Sequence, residues 1–362
     1  MKITGIKTEH LRIPVETALI NIVKSRAYME VVTVRIDTDE GISGYGYTYT
    51  DGYGGRSIKR ILDTDIFELV KGMNPLEIKK IVKKVLWEIR GAGFSGVTVI
   101  ATTGLELALW DIKSKVYGRP LGDLLDAYTD KIPMYASIAG WTTLPVEEMI
   151  ERADELVKEK KLFGIKIQVG RLPIEKDEYR IKKLRETLGS ETKLFIDANT
   201  VLDVPSAIKL GKRLQDYDIF WFEEPIPPND VDGFLQIGEH IDIPLATGEQ
   251  LFGIHECEEL IRRRAVSFMQ ADLMHVGGIT EWLRIASYAE CHGLKMSPHF
   301  IMEMSTEILC AIRNSQFVEY IPWFQKYFKE PIKLEDGYAF ARKKIGLGLE
   351  FDEAAIKTCR TE

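Results

Sequence analysis

Asp197, Glu223 and Glu249 stand at equal intervals of 26 residues, each closing a short apolar run: KLFIDAN, IFWFEEP and IPLATGE. Three carboxylates brought to one point at low dielectric repel strongly unless a cation joins them. Oxygen donors without histidine or cysteine suit a hard ion, and an open site of this kind suits Mg²⁺, one per chain. In IFWFEEP successive side chains alternate faces, so only one of the two acids can point at that ion. Glu223 shares the face of Trp221 and is taken as the ligand; Glu224 is left as an outer contact or a helix start.

Other apolar runs end in chemistry as well. GIKIQVG carries Lys166 and Gln168, SFMQADL ends near Asp272, SPHF holds His299 and FVEY holds Glu319. An Asp on the run before a His can orient the imidazole and favour its charged form, so Asp272 and His299 are read as a catalytic dyad. Lys166 can add positive charge beside a substrate carboxylate. Asn199, two residues past Asp197, shares its face and is expected to touch substrate or an ordered water. His275 is a weaker polar candidate. Taken singly, each acid would be read as a cap or a solvated loop residue; their agreement at successive run ends reverses that.

These residues need a scaffold that collects strand ends. From about residue 132, short apolar strands alternate with amphipathic helical segments: 132–138, 162–169, 193–199, 219–225, 243–249, 267–273, 294–300 and 317–322. Eight strands alternating with helices predict a (β/α) barrel of TIM type, whose function gathers at the C-terminal strand ends. A doubly wound sheet is the rival, but no glycine-rich loop follows the first strand. Residues 1–50 read as strands, followed by helices over about 57–90, broken at 73–75, and over 102–118. The expected division is an α+β capping domain (1–125), the barrel (126–322) and a C-terminal segment (323–362) packing back on the cap.

The chain has 362 residues and a net charge of −7, which argues against a nucleic-acid footprint. No apolar run approaches the ~20 residues that span a bilayer, the N-terminus lacks a signal-peptide core, and the four scattered cysteines form no CxxC pair. A soluble, cytoplasmic protein with reduced thiols is expected.

KLFIDAN, WFEEP, ATGEQ, ADLMHVGGIT, SPHF and FVEY, with ELALWDIKSKVYGRPLGDLL before the barrel, resemble the enolase superfamily and within it the mandelate racemase subgroup. The resemblance covers nearly the whole chain. It implies a modified (β/α)₇β barrel capped by an α+β domain built from both termini. It implies Mg²⁺ on Asp197, Glu223 and Glu249, and removal of a proton α to the carboxylate of a small-molecule substrate. It implies that Glu319, if protonated, donates a hydrogen bond to the enolic oxygen. Loops near 15–27 and 44–57 would close over the site, with Tyr47 and Tyr49 meeting substrate hydroxyls and Lys24 or Arg26 an anionic end. A symmetric homo-oligomer, dimer to octamer, is the family expectation.

One position departs from the subgroup. Its usual second-strand pattern is Lys-x-Lys, whereas this chain reads Lys166-Ile167-Gln168. An amide cannot take up a proton at neutral pH, so Gln168 is left to contact substrate. Racemisation needs a base on each face of the carbanion; a one-sided site suits β-elimination, with His299 taking the α-proton and returning it to a departing β-hydroxyl. The expected activity is therefore a hydro-lyase: dehydration of a sugar acid to a 2-keto-3-deoxy acid. The alternatives are an epimerase or racemase using Lys166 as second base, and a non-catalytic metal-binding descendant.

Overall fold

The computed structural model describes residues 1–15, 28–140 and 142–361. Tyr28–Thr38 (β2) lies between Ile3–Pro14 (β1) and Ser43–Thr50 (β3) in an antiparallel three-stranded sheet. Helices Gly55–Ile61 (α1), Ile78–Glu88 (α2) and Val97–Tyr117 (α3) follow. Helical turns continue past α1 to Val70 and resume at Ile78, with Pro75 in the gap, close to the expected break. α3 begins five residues earlier than its pattern suggested. Its first turn holds β-branched Val97, Thr98 and Val99, poor helix formers whose burial outweighs propensity.

Most of α3 is buried, which fits a helix apolar on nearly every side. One face receives β3 very closely: a Cβ at Gly44 would stand 2.1 Å from the Ala108 carbonyl oxygen, and one at Gly46 2.6 Å from that of Gly104. The glycines of GYGYTYT are thus a contact surface for α3. Tyr47 and Tyr49, on the other face of β3, point toward the barrel, where their hydroxyls meet Glu303 and Asp272.

The barrel runs Lys131–Gly140 (β4), Val146–Glu159 (α4), Gly164–Gln168 (β5), Ile174–Leu188 (α5), Lys193–Asp197 (β6) and Val204–Leu214 (α6). It continues Ile219–Glu223 (β7), Val231–Gly238 (α7), Leu245–Thr247 (β8), Gly253–Arg262 (α8), Phe268–Met269 (β9), Ile279–Cys291 (α9), Lys295–Met296 (β10), Met302–Cys310 (α10) and Val318–Tyr320 (β11). Neighbouring strands from β4 to β10 pair in parallel, Met296 bridges to Ser315, and β11 returns to β4, closing the ring. Seven helical crossovers and a last strand without one make this the modified (β/α)₇β barrel that the resemblance implied. Inside it, below the site, Tyr135, Phe195, Trp221, Phe268 and Phe317 form an aromatic plug. This plug gives the rim above it a dry, rigid floor.

The C-terminal segment serves both barrel and cap. Lys333–Glu335 (β12) and Tyr338–Phe340 (β13) form a hairpin whose second strand pairs antiparallel with β4. Phe324 and Phe328, ahead of this hairpin, pack on Tyr47 of the cap, and at the far end Leu11 bridges to Arg360 and the Thr361 amide donates to the His10 carbonyl. The four cysteines are free, and no described helix is long and apolar enough to cross a membrane.

Glu307 of α10 holds this segment by accepting from the Arg342 amide at 2.6 Å. Burial pushes its carboxyl from the usual 4.5 up to about 7. A carboxyl with a raised folded pKa binds more protons folded than unfolded, so its contribution is fully present below about 4.5 and lost as pH rises through about 7. The loss is on the order of 3 kcal/mol. Thermal melts between pH 5 and 8 are expected to fall more steeply for the natural protein than for Glu307→Gln; parallel slopes would refute this.

Candidate active site

Strand register sets the first layer of the site. Gln168 pairs with Asp197 and Asp197 with Glu223, so these three side chains leave β5, β6 and β7 at one level. Glu223 points inward as expected from Trp221: the Trp221 indole N–H donates to its Oε2 at 3.0 Å, and Gln270 Nε2 donates to the same oxygen at 2.7 Å. Equal sequence intervals do not give equal depth. Glu223 pairs with Ala246, so Glu249 stands three residues higher, on the turn after β8. β9 and β10 are likewise only two residues long, and Asp272 and His299 sit on the turns beyond them.

Lys166, one layer below Gln168, reaches up into the acids. Its ammonium lies 2.5 Å from Glu223, 2.8 Å from Glu319 and 3.5 Å from Asp197. Burial alone would lower its pKa, but the charges of Glu223 and Glu319 hold it well above the ordinary lysine value. Lys166 is therefore the cation that was expected, its ammonium engaged by Glu223 and Glu319. Glu319 lies against Lys166, whose charge lowers its carboxyl to about 2 despite burial, and the Ser137 hydroxyl and the Phe300 amide also donate to it.

The remaining acids carry surplus negative charge. Burial raises Asp197 to about 6 and Glu223 to about 7, against the pull of Lys166. Glu249 is raised by burial and by its neighbours Glu223 and Glu319. Glu224 is raised well above the carboxylate range by burial and by Glu249 and Asp197. Of the two readings of Glu224, the outer contact fits and the helix start does not: it lies buried at φ 39°, accepting from Thr247 Oγ1 and from Gln250 Nε2. Among the described residues, no three acidic, imidazole or thiol groups stand in metal-holding range of one point, and Glu223 and Glu319 pair with Lys166. The donor chemistry nevertheless fits a hard divalent cation. Asp197 and Glu223 are buried and Glu249 is half-buried, all three offer only oxygen, and they follow consecutive strands with their carboxyls raised by burial.

His299 and Asp272 form the expected dyad. Nδ1 of His299 donates to Asp272 Oδ2 at 2.7 Å, while Asp272 Oδ1 accepts from the Met274 amide. Burial would lower the imidazole's pKa, but Glu249, 3.6 Å from Nε2, and Asp272 hold it well above its ordinary value. With Nδ1 committed to Asp272, Nε2 is the atom left to exchange a proton. Asn199, at φ 44°, donates through Nδ2 to Glu249 Oε1 at 3.1 Å and through its amide to Asp197 Oδ1, tying two proposed ligands together.

Lys166, Asp197, Asn199, Glu249, His299 and Glu319 line one cavity of about 480 Å³ under the cap, with Glu223 and Asp272 behind its wall. Gln168 lines it without supplying a base, and its buried Oε1 has no hydrogen-bond partner among the described residues. His275 also lines it, its Nδ1 on the Glu249 carbonyl oxygen at 2.5 Å. The two cap tyrosines part ways. Tyr47 is fully buried with its hydroxyl on Glu303 and does not reach the cavity, so its expected substrate contact is corrected. Tyr49 lines the cavity, but its hydroxyl donates to Asp272 Oδ2, the oxygen that also holds His299. Lys24 and Arg26 lie outside the described residues.

Sequence reasoning missed Ser137, Gln270 and the apolar walls Met29, Ile100, Phe300 and Trp323. Polar residues inside MYASI and FMQAD were visible as interruptions of apolar runs. It also missed Arg180, whose guanidinium donates to the carbonyls of Gln168 and Gly140 and so locks the ends of β5 and β4.

Comparison with known proteins agrees with this geometry. Residues 3–126 match the sequence profile of the mandelate racemase/muconate lactonizing enzyme N-terminal domain, and residues 148–355 that of the enolase C-terminal domain-like family. The chain is 34% identical over 329 residues to the L-talarate/galactarate dehydratase of Salmonella typhimurium, covering 90% of this chain and 81% of that one. A crystal structure of L-talarate dehydratase from Polaromonas sp. JS666, complexed with Mg and L-glucarate, superposes with a TM-score of 0.92 at 31% identity, covering 100% of this chain and 98% of the other. A racemase from Streptomyces coelicolor with bound magnesium gives 0.94 at 28% identity, covering 99% and 100%. With two profile matches spanning most of its length and a barrel and cap of the same build, the chain belongs to the mandelate racemase/muconate lactonizing enzyme family of the enolase superfamily.

Proposed function

We propose that this protein is a Mg²⁺-dependent dehydratase of a sugar acid, a hydro-lyase giving a 2-keto-3-deoxy acid. The observation that carries the reading is the asymmetry of the cavity, with an Asp-supported imidazole on one side and an amide, Gln168, where the subgroup usually has a second base. Similarity to several sugar-acid dehydratases supports it.

Asp197, Glu223 and Glu249 would hold the metal. When bound, Mg²⁺ supplies Lewis-acid stabilisation to the substrate carboxylate. The chain's own groups do the rest. Lys166 adds positive charge where negative charge develops on the carboxylate oxygens, and Glu319 with Ser137 fixes its ammonium. His299 Nε2 takes the proton from the α-carbon, and Asp272 stabilises the imidazolium. That proton then passes to the β-hydroxyl, the C–O bond breaks, and water leaves. The enol product tautomerises to the 2-keto acid. Because one group serves both steps, proton and hydroxyl depart from the same face.

The test is turnover of C2-epimeric sugar acids with Mg²⁺ in D₂O. One epimer of a pair should yield the 2-keto-3-deoxy acid, and the other should neither react nor exchange its α-proton. Deuterium entering both epimers would refute the one-sided site, and no 2-keto acid from any mono- or diacid sugar would refute dehydration.

Tyr49 brings the cap into this chemistry as a positioning residue. By sharing Asp272 Oδ2 with His299 it restrains the carboxylate that aims the imidazole. Tyr49→Phe is expected to lower kcat about tenfold with KM within about twofold, as for the loss of one oriented hydrogen bond of about 1.4 kcal/mol. A rise in KM at constant kcat would instead mean that the hydroxyl binds substrate.

A further inference from the structure

The active cavity holds a second imidazole that the proposed chemistry leaves unused. His275 rides on a single helical turn, Leu273–Val276, held at its start by the Met274 amide on Asp272 Oδ1. Thr103 Oγ1 of α3 ties the same turn to the cap by donating to the Met274 carbonyl at 3.0 Å. The imidazole lies beside Phe252 and Tyr49, with ring centroids 5.1 and 6.2 Å away. A carbonyl oxygen only accepts, so the 2.5 Å contact with the Glu249 carbonyl puts a proton on Nδ1. In the neutral ring Nε2 is then an acceptor, and no described residue engages it. A ring held this way, with one nitrogen left over, accepts from a donor in one direction only.

Its place along the substrate follows from the chemistry at the other end. A sugar acid set for the proposed reaction has its carboxylate at the metal acids and Lys166, and C2 and C3 at His299 Nε2. Glu249 separates the two imidazoles: its carboxylate is 3.6 Å from His299 Nε2, while its backbone carbonyl holds His275. With Tyr49 of the cap beside it, His275 lies farther out, so the carbons that reach it are those beyond C3. Two other polar groups of that wall are already committed, the Tyr49 hydroxyl to Asp272 and the Gln250 amide nitrogen to Glu224. Met29, Ile100 and Trp323 add apolar surface to the same cavity, so a hydroxyl that enters gives up water and needs a partner.

We propose that His275 is a specificity-determining residue whose Nε2 accepts a hydrogen bond from a substrate hydroxyl beyond C3. It thereby selects longer sugar acids with one configuration at the carbon bearing that hydroxyl. The inference rests on the reading of the substrate as a sugar acid held by its carboxylate; it does not require that the acid be dehydrated.

Titration calorimetry tests it, on the Mg²⁺-loaded full chain carrying His299→Asn so that bound acids are not turned over. The probes are pentonates, hexonates and hexarates, with D- and L-glycerate as acids that have no carbon beyond C3. The best of the longer acids should bind at least about tenfold tighter than glycerate, and acids epimeric at C4 or C5 should differ about tenfold, the worth of one well-placed hydrogen bond. Adding His275→Asn keeps a donor for the Glu249 carbonyl and removes Nε2. It should weaken the tightest acid about tenfold and erase most of the difference between epimers, with glycerate within about twofold. His275→Phe, which keeps a ring beside Phe252 and Tyr49, should do the same. The proposal is overturned by longer acids that bind no tighter than glycerate, a comparison that needs no His275 variant. It is equally overturned if both variants leave the tightest acid unmoved, or weaken glycerate as much, which would place His275 at the metal end. Binding of the expected pattern without 2-keto acid from the natural enzyme would uphold this inference and refute dehydration.

Discussion

His299→Asn is expected to lower kcat roughly a thousandfold, with KM changed far less. The substituted amide keeps approximate size and can still donate to Asp272, so the cavity wall survives. What disappears is the basic Nε2: the Lys166 ammonium is engaged by Glu223 and Glu319, and Gln168 cannot accept a proton. The same atom serves α-proton removal and departure of the hydroxyl, so exchange of the substrate α-proton with D₂O should fall together with dehydration. Asp272→Asn should cost less, about a hundredfold, because it removes the orienting charge and leaves the imidazole in place. Measured kcat for His299→Asn within tenfold of the natural enzyme would place the base elsewhere, with His275 the next residue to examine.

Metal removal is the second large effect. Chelation followed by dialysis should abolish turnover, and Mg²⁺ should restore it, because an enediolate charge cannot form beside buried acids without added positive charge. Stability should move with it. An ion that binds only the folded chain stabilises by about 2.7 kcal/mol at a hundred times its dissociation constant, a shift of several degrees in melting temperature for a chain of this size. Asp197→Asn should lose both the activity and the Mg²⁺-dependent shift. Full activity after exhaustive chelation, or an unchanged shift in the variant, would remove these acids from the role proposed.

Much of this protein was legible along the chain. Strand-end acids, an Asp–His pair on successive units and the β/α alternation follow from local periodicity, and local periodicity is what a sequence displays. The loss of a base at Gln168 was legible for the same reason, since a residue type at a known register needs no coordinates. Depth and partnership were not. That Glu249 sits higher than Glu223, that Lys166 pairs with Glu319, and that Glu224 is buried beside Gln250 depend on which strands pair at which level. Tyr47 and Tyr49 make the point most sharply. They lie two residues apart on one face of one strand, yet only the second reaches the catalytic carboxylate. Alternation along β3 decides which face a tyrosine occupies; only the packing of that face against a distant barrel decides what its hydroxyl meets, because the partner is more than two hundred residues away.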